Sequence, residues 1–291
     1  MRHVIIGNGP AGVIAAEALR AARPRDEITL LGDEPEPPYS RMAIPYLLIG
    51  DIQEPGTYLR KGADHFIGLR ITLRQSAARA VDTQARVVTL TDSGTLAYDR
   101  LLLATGSSAA DPPIPGIHGP GVMTCWTMED ARKIMSSVQR GTRMLQLGAG
   151  FIGCIIMESI AARDAVLTIV EMGDRVVPRM MPPGASALIK RWCENKGVRI
   201  HTGTRAVQID RDPNGLHVKL ENGETLDVDV VISATGVRPN IGFLAGSGIL
   251  TETGILVDDH MRTSVTDVYA AGDCVEGRNS APANASSTRS N

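Results

Sequence analysis

The residues best placed to do chemistry in this chain are glycines. Gly7-x-Gly9-x-x-Gly12, inside HVIIGNGPAG, and Gly148-x-Gly150-x-x-Gly153, inside RMLQLGAGFIG, share one spacing. At a strand-to-helix junction this spacing suits phosphate. The first glycine permits the tight turn, the second lets a pyrophosphate approach the backbone, and the third lets the helix pack close to the strand. Pro10 and Ala11 in the first motif, and Phe151 and Ile152 in the second, would open helices whose N–H groups and dipole favour negative charge. Two carboxylates complete the pattern. EITLLGDE ends in Asp33 and Glu34, of which Glu34 is favoured, and AVLTIVE ends in Glu171. An acid at the end of the second strand accepts from ribose hydroxyls. A glycine-rich turn without a ligand would not need strand, glycines, helix, strand and acid in that order.

The elements that position these residues are themselves repeated. Residues 71–116 parallel 198–240. Each stretch has a strand, a small hairpin turning at Asp92-Ser93-Gly94 or Glu221-Asn222-Gly223, and an apolar strand ending in Ala104-Thr105-Gly106 or Ala234-Thr235-Gly236. Such a duplication predicts an α/β chain with two Rossmann-like dinucleotide-binding domains. Ligands sit at the carboxyl ends of parallel strands, so both Ala-Thr-Gly triplets are candidates for cofactor contact, with an ordinary turn as the alternative. Gly272 and Asp273, in VYAAGDC, end another such strand.

Bulk composition agrees. The 291 residues suffice for two domains, with 43% apolar and 21% charged residues. A net charge of −2, no long basic run and 3% aromatics argue against nucleic acid or an anionic membrane surface as partner. Cys125, Cys154, Cys193 and Cys274 are scattered, which suits a reducing, cytoplasmic location and no metal cluster. The N-terminus has the charge and apolar content of a signal peptide, but Gly7 to Pro10 break its continuity. No apolar run reaches membrane-span length.

At this point the chain resembles the FAD-dependent pyridine nucleotide–disulfide oxidoreductases. It looks most like the NAD(P)H-dependent reductases of rubredoxin or ferredoxin and the flavin portion of nitrite reductase. GNGPAG, GDEPEPPYSR, YDRLLLATGS, TMEDARKI, GAGFIG, VEMGDRVVPRMM, SATGVRPN and VYAAGDC carry the likeness, in family order, over nearly all of residues 1–275. The resemblance implies FAD on the first fingerprint and NAD(P)H on the second, with three-layer ββα domains and the NAD domain inserted in the FAD domain. The FAD domain is then expected over 1–118 and 242–278 and the NAD domain over 119–241; residues 279–291, rich in Ser, Asn and Ala without hydrophobic periodicity, read as a disordered tail. The resemblance further implies that Arg41 helps hold the flavin, that Ala78 and Ala206 offer backbone to the adenines, and that Asp273 hydrogen-bonds the ribityl chain. Glu171 should repel a 2′-phosphate, so NADPH is the less favoured cofactor, although Arg175 stands close enough to reach that phosphate.

The chain departs from the resemblance in three places. YSRMAIPYLLIG (39–50) holds no redox cysteine, and Cys154 and Cys274 read as core filling. Pro45-Tyr46 stands where electron-transferring relatives often carry Ser-Lys. No catalytic side chain is therefore assigned, and the flavin is expected to carry the chemistry. After AAGDC the chain runs into VEGRNSAPANASSTRSN, where the resemblance implies a further helix and an interface domain. The expectation is a short form without the family's dimerisation domain. The function expected is hydride transfer from NADH, or NADPH, to FAD and electron delivery to an acceptor such as a rubredoxin- or ferredoxin-type protein or a nitrite reductase partner. The alternative is a non-catalytic or impaired cofactor-binding remnant; substrate oxygenation is a weaker third reading.

Overall fold

The computed structural model describes residues 1–62 and 64–277, so residue 278 and the expected tail over 279–291 lie outside the described residues. The chain forms two compact units. One comprises Met1–Ser40, Tyr58–Ser108 and the chain from Arg238 on; the other comprises Arg41–Thr57 and Ala109–Val237.

The first unit is built on a parallel five-stranded sheet in the order Val268–Ala270, Arg100–Leu103, Arg2–Ile6, Glu27–Gly32, Ile71–Gln75. Its inner strands are apolar at successive positions because both faces are covered, while the edge strand Ile71–Gln75 buries only Ile71. Val4, Ile6, Leu101 and Leu103 point one way, into a core shared with Val81, Val88 and Leu90 of an antiparallel three-stranded sheet. Ile5, Ile28 and Leu30 point the other way, onto Val13 and Ala16 of the helix Pro10–Ala22. The layers are therefore sheet, sheet and helix. The helix starts with Pro at its first position, where a missing N–H costs nothing, and ends before Pro24.

The second unit repeats the plan. Its parallel sheet runs Arg199–Thr202, Val166–Glu171, Arg143–Leu147, Val230–Ser233, Val122–Met123. Leu145, Leu147, Val170 and Val231 face the antiparallel strands Ala206–Asp212, Gly215–Leu220 and Thr225–Val228. The duplication extends to irregularities. The first hairpin is bulged between Ala78 and Ala80, the second between Ala206 and Gln208.

The units differ from the boundaries expected at 118 and 241. Ile114 and Ile117 pack on the second unit's core, which draws the crossing back to Ala109. Residues 41–57, expected within the first domain, also belong to the second unit. The short helix Ile44–Ile49 buries Ile44, Leu47 and Leu48 beside the helices Met128–Ser137 and Phe151–Ala161. Each such side chain contributes about 1.5–3 kcal/mol when fully buried. Arg163 adds a clamp, donating to the carbonyls of Leu48, Met135 and Val138 at 2.9, 3.0 and 3.3 Å. Among the described residues, no helix is long and apolar enough to cross a membrane.

Candidate cofactor-binding sites

In the first unit the strand Arg2–Ile6 runs into Gly7, whose φ is +110°. A Cβ there would overlap the carbonyl of Ala104, and one on Gly12 would overlap the carbonyl of Gly7. The turn thus presses on the first Ala-Thr-Gly triplet. Gly9 is different: a Cβ would meet nothing within 4 Å. The open space lies where the helix Pro10–Ala22 begins, and its first-turn N–H groups lack intrahelical acceptors. The site has the shape of a phosphate cradle.

Two further pieces converge on this turn, and a third follows the adjacent strand. Gly272, with φ +86°, lies close enough that a Cβ would come within 3.2 Å of Ala11 Cβ. Asp273 therefore stands beside the helix start, exposed, with Ser107 Oγ donating to its Oδ2 at 3.4 Å. Thr105 hydroxyl donates to the carbonyl of Asn240 at 2.8 Å, and Asn240 Nδ2 returns a bond to the carbonyl of Thr105 at 2.9 Å. Asn240 also donates its N–H to the carbonyl of Gly106 at 3.0 Å, so it holds the last two residues of the triplet. Glu34 follows the strand Glu27–Gly32 and accepts from Tyr39 hydroxyl at 2.6 Å. Asn240 and Tyr39 lie inside the SATGVRPN and GDEPEPPYSR stretches, but the spacing gives neither a role, because each acts through a hydrogen-bond partner that the fingerprint does not include.

The second unit repeats the geometry. Gly148 has φ +98°, and a Cβ would stand 2.5 Å from the carbonyl oxygen of Ala234. A Cβ on Gly150 would meet open space. Phe151 is exposed at the helix's first position and Ile152 half-buried behind it. Thr235 and Gly236 are exposed at the end of Val230–Ser233. Glu171 bridges two backbone groups: Ala149 N–H donates to Oε2 at 2.6 Å and Gly173 N–H to Oε1 at 2.7 Å. Each oxygen keeps further lone-pair capacity. Arg175 is engaged locally, donating to Asp174 at 2.8 Å and to the Pro178 carbonyl at 3.0 Å.

Arg41, expected beside the first cofactor, belongs to the second unit. Its Nη1 donates to the carbonyl of Trp126 at 2.8 Å, with the guanidinium 5.7 Å from that ring's centroid. Ala78 and Ala206 head their hairpins, half-buried and buried respectively, at the equivalent bulges.

The cysteines are all free thiols. Burial pushes the Cys125 thiol up to about 12 and the Cys154 thiol up to about 11, and raises Cys193 as well. Cys274 is buried and directs its sulfur at the carbonyls of Leu103 and Ala271. None has the electropositive, exposed setting that makes a thiolate reactive.

Two glycine turns on parallel sheets, each with a carboxylate after the second strand, define a double dinucleotide-binding fold. Residues 1–288 match the family model of the pyridine nucleotide-disulphide oxidoreductases, and the chain belongs to that family. It is 34% identical over 93% of its length to subunit epsilon of the NADH-dependent phenylglyoxylate dehydrogenase of Aromatoleum evansii, covering 64% of that protein. It is 32% identical over 94% of its length to rhodocoxin reductase of Rhodococcus erythropolis, covering 65% of it. Among solved structures, a ferredoxin reductase from Rhodopseudomonas palustris superposes with a TM-score of 0.90 at 28% identity, over 95% of this chain and 69% of that one. The chain therefore spans about two thirds of the length of these relatives.

Proposed function

We propose that the chain is an NADH-dependent flavoprotein oxidoreductase that passes electrons to a small redox protein of the ferredoxin or rubredoxin kind. The observation that carries this reading is the duplication itself. Two phosphate cradles, each with open space at its middle glycine and a carboxylate behind it, fit two dinucleotides rather than one. Family membership supports FAD for the first and NADH for the second.

In the first unit, the helix start at Pro10 and Ala11 would hold the pyrophosphate of FAD. Glu34, oriented by Tyr39, would accept from its ribose, and Asp273 from its ribityl hydroxyls. Bound there, FAD supplies two-electron acceptance from a nicotinamide and single-electron release to an acceptor. In the second unit, the helix start at Phe151 and Ile152 would take the pyrophosphate of NADH, and Glu171 its adenosine ribose. The protein's own work is binding, orientation and exclusion of competing chemistry; no side chain is given a covalent or proton-transfer role. The buried or half-buried, unactivated thiols support direct transfer without a thiol relay. Intact glycines in both turns count against a non-catalytic remnant.

An anaerobic NADH titration of the purified, flavin-loaded chain tests this. Loss of flavin absorbance at about one equivalent is expected, followed by recovery when an oxidised ferredoxin or rubredoxin is added. A chain that takes up no flavin, or whose flavin NADH does not reduce, would overturn it.

A further inference from the structure

One side chain beneath the second cradle is not explained by the fold. Gln146 lies on the strand Arg143–Leu147, two residues before Gly148, and is fully buried. Its Nε2 donates to the carbonyl of Gly148 at 2.8 Å and to the carbonyl of Gly153 at 3.0 Å. Turned the other way, the amide oxygen would face two carbonyl oxygens, so the donors decide the orientation. Its Oε1 is left buried without a hydrogen-bond partner. A buried amide with one unsatisfied end is costly and calls for a reason.

The chain contains its own control. In the first unit the equivalent position, two residues before Gly7, is Ile5, which packs on Val13 and Ala16. The same turn thus forms over an aliphatic side chain, and the fold does not require an amide there.

What Gln146 does is visible in the peptide between Gly148 and Ala149. Its carbonyl end is held by Gln146 from below. Its N–H end is held by Glu171 Oε2. The other carboxylate oxygen is tied to Gly173 N–H. One peptide plane is therefore clamped at both ends, and the clamp at one end is the carboxylate that faces the ribose in the function proposed above. We propose that Gln146 is a positioning residue for nucleotide specificity: by fixing the Gly148–Ala149 peptide plane, it sets the orientation of Glu171 and so the discrimination against a 2′-phosphate. The inference rests on the reading of this turn as the pyridine-nucleotide site.

The test compares binding of ADP-ribose and of its 2′-phosphate by calorimetry, on the full chain and on Gln146→Leu and Gln146→Met, with Glu171→Gln as reference. Both Gln146 variants keep roughly the volume and remove the donors. The expected result is a discrimination ratio that falls about tenfold, toward that of Glu171→Gln, with flavin content unchanged because the first cradle is untouched. In Gln146→Met/Glu171→Gln the two effects should not add, since both act through one peptide. Variants that weaken both ligands equally, leaving the ratio as in the unmodified chain, would show a merely structural role and overturn the proposal. So would fully additive effects in the double variant. If Gln146→Leu does not fold, Gln146→Met, being unbranched and flexible, carries the comparison. Failure of the underlying reading would look different: the unmodified chain itself would bind neither ligand.

Discussion

The carbonyl of Ala104 occupies the place that a side chain on Gly7 would need. Gly7 also holds a φ of +110°, where other residues are strained. Gly7→Ala should therefore destabilise the first unit by roughly 2–5 kcal/mol, from backbone strain and overpacking together. Gly9→Ala should cost under about 1 kcal/mol, because its backbone is extended and the space beside it is open. Its effect should fall on cofactor uptake instead. Thermal melts and flavin content of the two variants should separate cleanly; equal losses of stability would refute the distinction.

NADH should be preferred to NADPH. Glu171 is held in place by two backbone N–H groups, and Arg175 is occupied by Asp174 and the Pro178 carbonyl. A carboxylate facing a 2′-phosphate costs several kcal/mol at close range, less where water screens it. Comparing kcat/KM for the two cofactors should show a preference of at least about tenfold, reduced in Glu171→Gln. A preference for NADPH in the unmodified protein would contradict the assignment.

Turnover should not need a thiol. Replacing all four cysteines with Ala should leave flavin reduction by NADH largely intact. A thiolate-to-flavin charge-transfer band in the reduced protein would be the contrary result.

The same thiols impose a pH limit. Cys125 ionises near its ordinary value of 9.0 when unfolded but at about 12 when folded, because burial disfavours the thiolate. Its contribution to stability is thus complete below pH 9 and is lost as pH rises from 9 toward 12. Denaturant midpoints measured across that range should fall, and should fall less steeply in Cys125→Ala. Parallel slopes in the two proteins would remove Cys125 as the cause.

The helix Met128–Ser137 should depend on its cap. Thr127 hydroxyl accepts from Asp130 N–H at 3.1 Å, and Asp130 Oδ2 accepts from Thr127 N–H at 3.0 Å and Trp126 N–H at 2.9 Å. Thr127→Ala should cost about 1 kcal/mol and lower the melting temperature by a few degrees, while Thr127→Ser should be nearly silent. An unchanged melt for the alanine variant would show that the cap is redundant.

Much of this was legible in the residues alone. The two glycine spacings, the acids at Glu34 and Glu171, the paired Ala-Thr-Gly triplets and the layered α/β plan are local or periodic. A tight turn constrains φ at one residue, and a strand covered on both faces must be apolar at successive positions, so both leave marks in sequence. The tertiary structure decided what depends on distant partners. Arg41 and the helix Ile44–Ile49 follow the first fingerprint in sequence, yet bury their surface on the second unit, because Ile44, Leu47 and Leu48 find their cover there. Asn240 locks Thr105 across a long stretch of chain, and Gly272 sets Asp273 beside Ala11. Gln146 reads in sequence as one polar residue in an apolar strand. Only the placement of its two acceptors, beneath a turn whose counterpart manages with Ile5, shows that it holds a peptide plane. The bonds between Asn240 and Thr105 join residues far apart in the chain and have no spacing of their own, and the acceptors of Gln146, though near it in sequence, face it only because the turn folds over it.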